Sequence, residues 1–285
     1  EHFFIWYVCE LGPAASAGLR RGDIITAIDG EPVEPVNGEY QRSDRMKAYF
    51  GDGDSNRVTL TVLQGPGTDP KDVTLRLGGA SGCDGWRVEV LSRDPYIGYI
   101  RIPAFEGDSD TNILDAIEAL EERQPLDGLI LDIRHNPGGN ADRDIAIFTQ
   151  GTFGTRGPLR EGKARSTWRI RGPVKWNETT PLVVLTDGST HSAGEYFATA
   201  MKQSGRATLT GMPTAGNTEG ISGFALPDGS IIRIAVQAVE LPDGSSLEGV
   251  GVQPDVRVPL GMWGLRQDPD VQMQAGIDVL LDQTQ

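Results

Sequence analysis

Ser192 lies in the segment PLVVLTDGSTHSAGE, residues 181–195, where an apolar run gives way to a small-residue turn and then to a helix start. A serine at that junction holds its hydroxyl beside the unpaired amides of a helix N-terminus, which can stabilise developing negative charge. That arrangement suits acyl transfer, although a serine there equally suits a helix N-cap. A second segment, LDGLILDIRHNPGGN over residues 126–140, ends in a comparable turn. The glycines at 138 and 139 let a backbone amide approach a ligand closely, because no side chain blocks it. The amide of Gly138 or Gly139 and that of Ala193 would form a two-donor oxyanion hole.

Two buried strands must carry these turns. Leu182–Leu185 and Leu129–Ile133 are short β-branched and apolar runs bounded by turn residues, the pattern of core strands. After Ser192, the residues Ala193, Glu195, Tyr196, Phe197, Ala198, Ala200 and Met201 suit a helix, with Glu195 in its first turn supporting the helix N-terminus. Ile97–Ile102 reads as another strand. Thr111–Arg123 reads as an amphipathic helix with Ile113, Ile117 and Leu120 on one face. The stretch from Ile231 to Val258 supplies further β structure.

The chain has 285 residues, long enough for more than one domain, and carries a formal charge of -14. That charge opposes nucleic-acid binding, which relies on clustered Lys and Arg. No run approaches the ~20 apolar residues of a membrane span. The opening EHFFIWYVCE lacks a basic leader and cleavage site, so the chain reads as a mature or trimmed protein. Cys9 and Cys83 form no CxxC and read as two free thiols. His2, His135 and His191 are too few and too scattered for a metal centre, and neither metal nor cofactor is expected. His135 and His191 read as loop and rim residues.

Composition divides the chain at about residue 80. Residues 1–80 form a β-rich unit, with strands at Phe3–Val8, within Gly18–Val33, at Arg57–Leu63 and at Asp72–Leu77, and a helical turn at Pro13–Leu19. GGASGCDG, residues 78–85, is a linker by composition. Residues 81–285 alternate strands with longer helices, an α/β layer pattern. GPAASAGLRRGDIITAIDGEPV resembles the signature of a PDZ domain of the bacterial protease type. The resemblance implies binding of an extended peptide by strand addition, and the carboxylate-capturing loop that precedes the first strand is largely missing.

The order GYIRIPAF, LILDIRHNPGG, VVLTDGSTHSAGE, GMPTAGN and LEGVGVQPDVRV resembles the S41 serine peptidases, both the carboxyl-terminal processing and the tricorn-like branches. The resemblance implies a ClpP/crotonase-like α/β core and a peptidase acting on protein or peptide substrates. It implies Ser192 as nucleophile, Ala193 as one oxyanion donor and the Gly138–Gly139 pair, with Gly138 favoured, as the source of the other. In the processing branch a lysine is the base, but Asn217 occupies its position here and cannot accept a proton. Lys202 lies within the helix after Ser192 and faces solvent. The tricorn-like branch implies a histidine from upstream and an acidic residue near the end of the catalytic domain; Glu248 matches the latter and His2 is the histidine nearest the N-terminus. The family also implies an envelope or secreted location and permits a homo-oligomer. The competing expectation is a catalytically impaired, peptide-binding member of the same fold.

Overall fold

A computed structural model describes residues 3–9, 12–33, 57–76, 85–159, 163–261, 263–266 and 270–283. The chain forms two compact units, one of residues 1–85 with 260–271 and one of residues 86–259 with 272–285.

In the first unit β1 (Phe3–Phe4), α1 (Pro13–Ser16), β2 (Ile24–Ile28), β3 (Glu31–Pro32), β4 (Arg57–Leu63) and β5 (Lys71–Arg76) follow one another. The strands pair antiparallel in the order β1-β2-β4-β5, with β3 on β2. Alternation in β4 and β5 sends Val58, Leu60, Val62, Val73 and Leu75 inward onto Leu19, Ile25 and Ile28. The strand expected at Phe3–Val8 is confined to Phe3–Phe4, because Ile5 turns to hydrogen-bond Gly22 and Asp23 and Trp6 stacks on Arg21. Arg266 in the later segment pairs with the fully buried Asp23, and Arg21 pairs with Asp270 at 2.7 Å. Cys9 is disulfide-bonded, correcting its reading as a free thiol; Cys83 and most of the linker at 78–85 lie outside the described residues.

The second unit contains β6 (Arg87–Arg93), β7 (Tyr96–Arg101), α2 (Ser109–Glu121), β8 (Gly128–Asp132), α3 (Asp142–Phe148), β9 (Gly151–Pro158), β10 (Ser166–Ile170), β11 (Leu182–Thr186), α4 (Ala193–Gln203), β12 (Thr208–Gly211), β13 (Gly220–Ala225), β14 (Ile231–Glu240), β15 (Val256–Arg257) and α5 (Val271–Gln283). Its main sheet runs β15-β12-β11-β8-β7-β6, parallel except for β6. Every residue of β8 and β11 is buried, as a parallel sheet covered on both faces requires. Leu129, Leu131 and Val184 meet α2, α3 and α4 on one face, whereas Ile130, Val183 and Leu185 meet Leu280 of α5 on the other. Gly276 lets α5 come close, since a Cβ there would lie 3.2 Å from Leu185 Cδ2. A second, antiparallel sheet has the order β10-β9-β14-β13. This layering places the turns after β8 and β11 side by side, because parallel neighbours end at the same edge of the sheet.

Candidate active site

Ser192 occupies the junction between β11 and α4 with φ 55° and ψ −124°, and its side chain makes no capping bond. The capping role is therefore not the one its hydroxyl plays. A non-glycine residue in this region of backbone space is strained by about 1–3 kcal/mol and persists only where its neighbours fix it. Here the fixing is explicit. The Ser192 N–H donates to Asn217 O at 2.8 Å, and Ser192 O accepts from the Glu195 amide at 2.9 Å. Upstream, buried Asp187 accepts from the amides of Ser189 at 3.0 Å and His135 at 2.9 Å, tying the two turns together. Thr190 Oγ1 donates to Ile133 O at 2.8 Å, across the same gap.

The glycine loop is built on Asn136, which is fully buried. Its Nδ2 donates to Ile102 O at 3.0 Å, its Oδ1 accepts from Gly138 N at 2.8 Å, and its carbonyl accepts from His191 N at 3.0 Å. One residue, through its side chain and its carbonyl, thus joins the end of β7, the glycine loop and the Ser192 turn. Below it, Arg134 is clamped to Asp132 through Nε at 2.9 Å and NH2 at 2.6 Å, and NH1 donates to Gln272 at 3.0 Å.

Gly138 has φ 101°, and a Cβ there would lie 2.6 Å from Ser192 Cβ and 2.8 Å from Ala193 N. The loop therefore lies directly against the serine, and only glycine permits it. Gly139, with φ 122°, is as constrained: its Cβ would come 2.1 Å from Phe105 O. The sequence favours Gly138 as the second donor, but its N–H is engaged by Asn136 in this conformation. Among the described residues the amides of Gly139 and Ala193 donate to no acceptor within the protein.

Glu195 does something other than support its helix terminus. Its carboxylate is fully buried and accepts from Thr214 Oγ1 at 2.6 Å, Gly216 N at 2.7 Å and Asn217 N at 2.9 Å. Burial raises its pKa, and those three hydrogen bonds oppose the rise. Glu248 performs the same service one residue further on, accepting from Thr218 N at 2.7 Å, Thr218 Oγ1 at 3.0 Å and Glu219 N at 3.1 Å. Tyr196 OH donates to Thr218 O, and burial pushes that phenol up to about 12. The backbone of residues 216–219 is thereby held on three sides, while the Asn217 side chain is exposed with no hydrogen-bond partner among the described residues.

The remaining basic groups are placed as follows. His191 Nδ1 is 2.9 Å from Ser189 O, a carbonyl that can only accept, so Nδ1 is the donor of that bond. His135 is exposed at φ 61°. Lys202 does not simply face solvent: it pairs with Asp255 at 2.7 Å and donates to Gln253 O at 2.7 Å. His2 lies outside the described residues.

Residues 96–258 match peptidase family S41, and residues 4–43 match a PDZ domain. The carboxyl-terminal-processing protease of Synechocystis sp. is 32% identical over 294 residues, a match that covers 94% of this chain and 62% of that protein. The protein of the same name from Picosynechococcus sp. is 30% identical over 286 residues, covering 94% of this chain and 64% of the other. This chain thus spans a little over three fifths of the length of these relatives. The solved structure of the photosystem II D1 C-terminal processing protease superposes with a TM-score of 0.62 at 24% identity, covering 91% of this chain and 71% of that one, a likeness of fold.

Proposed function

The chain belongs to peptidase family S41 and carries an N-terminal PDZ domain, and from that membership we propose that it forms the peptidase portion of a serine endopeptidase. Ser192 Oγ attacks the carbonyl carbon of a peptide bond as a base removes its proton. The resulting oxyanion is held by the Ala193 amide together with an amide of the Gly138–Gly139 loop. Collapse expels the amine, which takes a proton, and water then releases the acyl group from Ser192. The observation that carries this reading is the uncapped Ser192 in a strained elbow with Gly138 pressed against it.

With Asn217 in the lysine position, the base proposed is a histidine, and His2 keeps that assignment from its sequence position alone. Glu248 keeps the acidic role of the tricorn-like pattern in the proposal, supported by its place beside residue 218. The PDZ domain takes an extended peptide by strand addition, and the substrates are proteins or peptides. The disulfide at Cys9 supports an oxidising location, in the envelope or outside the cell.

Labelling of the protein with a fluorophosphonate probe, alongside Ser192→Ala, tests the nucleophile. Covalent label that disappears in Ser192→Ala supports the proposal; a folded protein that takes no Ser192-dependent label overturns it. One observation favours a second reading, a peptide-binding member without catalysis: the unpartnered side chain at 217 is an amide rather than an amine. Peptide binding without labelling would select it.

A further inference from the structure

Among the described residues the β13–β14 hairpin is an open edge of the catalytic unit. β13 is the outermost strand of its sheet, and its residues, GISGFA, contain no charge and no proline. Exposed edges are ordinarily guarded by Lys, Pro or bulges, since free N–H and C=O groups template pairing with another chain. The single register shift here falls between Gly220 and Ile221, so the strand beyond it is regular.

Exposed apolar side chains stand on both faces of the ribbon, and Arg233, opposite Gly223, is the one charge among these paired residues. Phe224 stands opposite Ile232 and Ser222 opposite Ile234, whereas Ile221 opposite Ala235 and Ala225 opposite Ile231 occupy the other face. Phe224, Ile232 and Ile234 are 48%, 44% and 47% exposed, and Ile221 and Ile231 are 64% and 65% exposed. Exposed apolar surface gathered in one place marks an interaction site.

Its position says which partner. β13 begins three residues after Asn217, whose carbonyl takes the Ser192 N–H, and three residues span at most about 11 Å. The intervening residues are held by Glu248 and Tyr196, so the edge leaves the serine on a fixed connection. We infer that β13 is the strand to which an extended apolar peptide substrate adds, its backbone pairing with the free edge and its side chains alternating between the Ile221–Ile231 face and the Phe224–Ile232–Ile234 face. This deepens, and rests on, the peptidase reading of Ser192.

The test replaces Ile221 and Phe224, both solvent-exposed, with Lys. The first probe is a fluorescein-labelled octapeptide of Val, Ala and Leu with an amidated C-terminus, which denies the PDZ domain a carboxylate; its binding to Ser192→Ala protein is read by anisotropy. The second is the fluorophosphonate, read on protein with Ser192 intact. The Lys pair is expected to raise the peptide Kd by about tenfold or more, the loss of an anchoring contact, with labelling unchanged and far-UV circular dichroism preserved. Unchanged peptide affinity in the folded variant overturns the inference. So does light scattering showing a dimer that the Lys pair dissociates without altering peptide affinity, because a second copy would then cover the edge. Should the double variant misfold, Ile221→Lys alone is read the same way. Absence of label on the unmodified protein would sink the peptidase reading instead, and the anisotropy result would still decide β13.

Discussion

The amide of Ser192 donates to the carbonyl of Asn217 at 2.8 Å, so the proposed nucleophile and Asn217 are joined through backbone. The Asn217 amide is in turn fixed by Glu195 at 2.9 Å. Position 217 is thus a rigid platform beside the serine whose side chain alone is unconstrained. An asparagine there carries no base, yet the backbone beneath it is held.

Asn217→Lys is expected to raise the rate of Ser192 labelling by about tenfold or more, at the low end of what a positioned base supplies. The added amine comes on a backbone already held, and the gain should titrate with pH as that amine loses its proton. Rates of fluorophosphonate labelling across pH, with Asn217→Met as the uncharged control of similar length, measure it. Equal rates for Lys and Met would show that the side chain at 217 does not reach the hydroxyl.

Gly138→Ala places a methyl where Ser192 Cβ and Ala193 N already lie, at 2.6 and 2.8 Å, on a backbone at φ 101°. Neither neighbour can yield, because one is the elbow and the other is helix backbone. Labelling is expected to fall by about a hundredfold, the scale of losing an oxyanion donor. Urea unfolding should show a loss of about 1–3 kcal/mol. Gly107→Ala is the control: Gly107 also has positive φ, but its added Cβ meets nothing within 4 Å, so only the backbone effect remains.

Asp144 of α3 is almost fully buried, and burial pushes its carboxyl up to about 6, with a hydrogen bond from Ser109 and the Arg143 charge opposing and the facing Asp110 adding to the rise. Lys175 lies 4.0 Å from Asp110 and is the other cation of this junction. A folded pKa above the unfolded value gives stability that is present at low pH and lost as pH rises through the folded pKa. Asp144 should therefore contribute about 1 kcal/mol more at about pH 5 than at about pH 7.5. Asp144→Asn should remove that difference and raise stability at neutral pH. Urea midpoints of the two proteins across that pH range provide the comparison.

The strand-to-helix elbow at Ser192 and the glycine loop were legible as turns because each is a short apolar run stopped by small residues, a pattern that local sequence carries in full. What Glu195 does was not legible. An acidic residue in a first helical turn looks the same whether it complements the helix dipole or reaches across to Thr214, and only the fold decides. Asn136 reads as one more turn residue for the same reason, since its partners Ile102 and His191 are distant in sequence. The expected strand at Phe3–Val8 was cut to two residues because Ile5 and Trp6 found partners in the Arg21–Asp23 turn. The exposure of Ile231, Ile232 and Ile234 was equally hidden, because apolar β-branched runs signal burial wherever they occur.

Glu195→Gln isolates the work of the buried carboxylate. One oxygen accepts from both Thr214 and Gly216, and the other accepts from Asn217. Glutamine can reproduce one set only, since its NH2 must face an N–H donor at the other, and an unmade buried hydrogen bond costs about 1–3 kcal/mol. The side chain should keep its oxygen toward Thr214 and Gly216, where two donors wait, and release Asn217. Labelling of Ser192 is then expected to fall by about tenfold or more while the unit remains folded, because its amide loses a fixed acceptor. Burial raises the Glu195 pKa, so the native protein sheds stability as pH rises through that value, and the glutamine variant should lack this loss. Hydrogen exchange provides the independent readout: protection should drop at the amides of 192 and 217 and persist at those of 218 and 219, which Glu248 holds. A variant that loses protection evenly across α4 would mean that Glu195 supports the helix as a whole rather than the platform beside the serine.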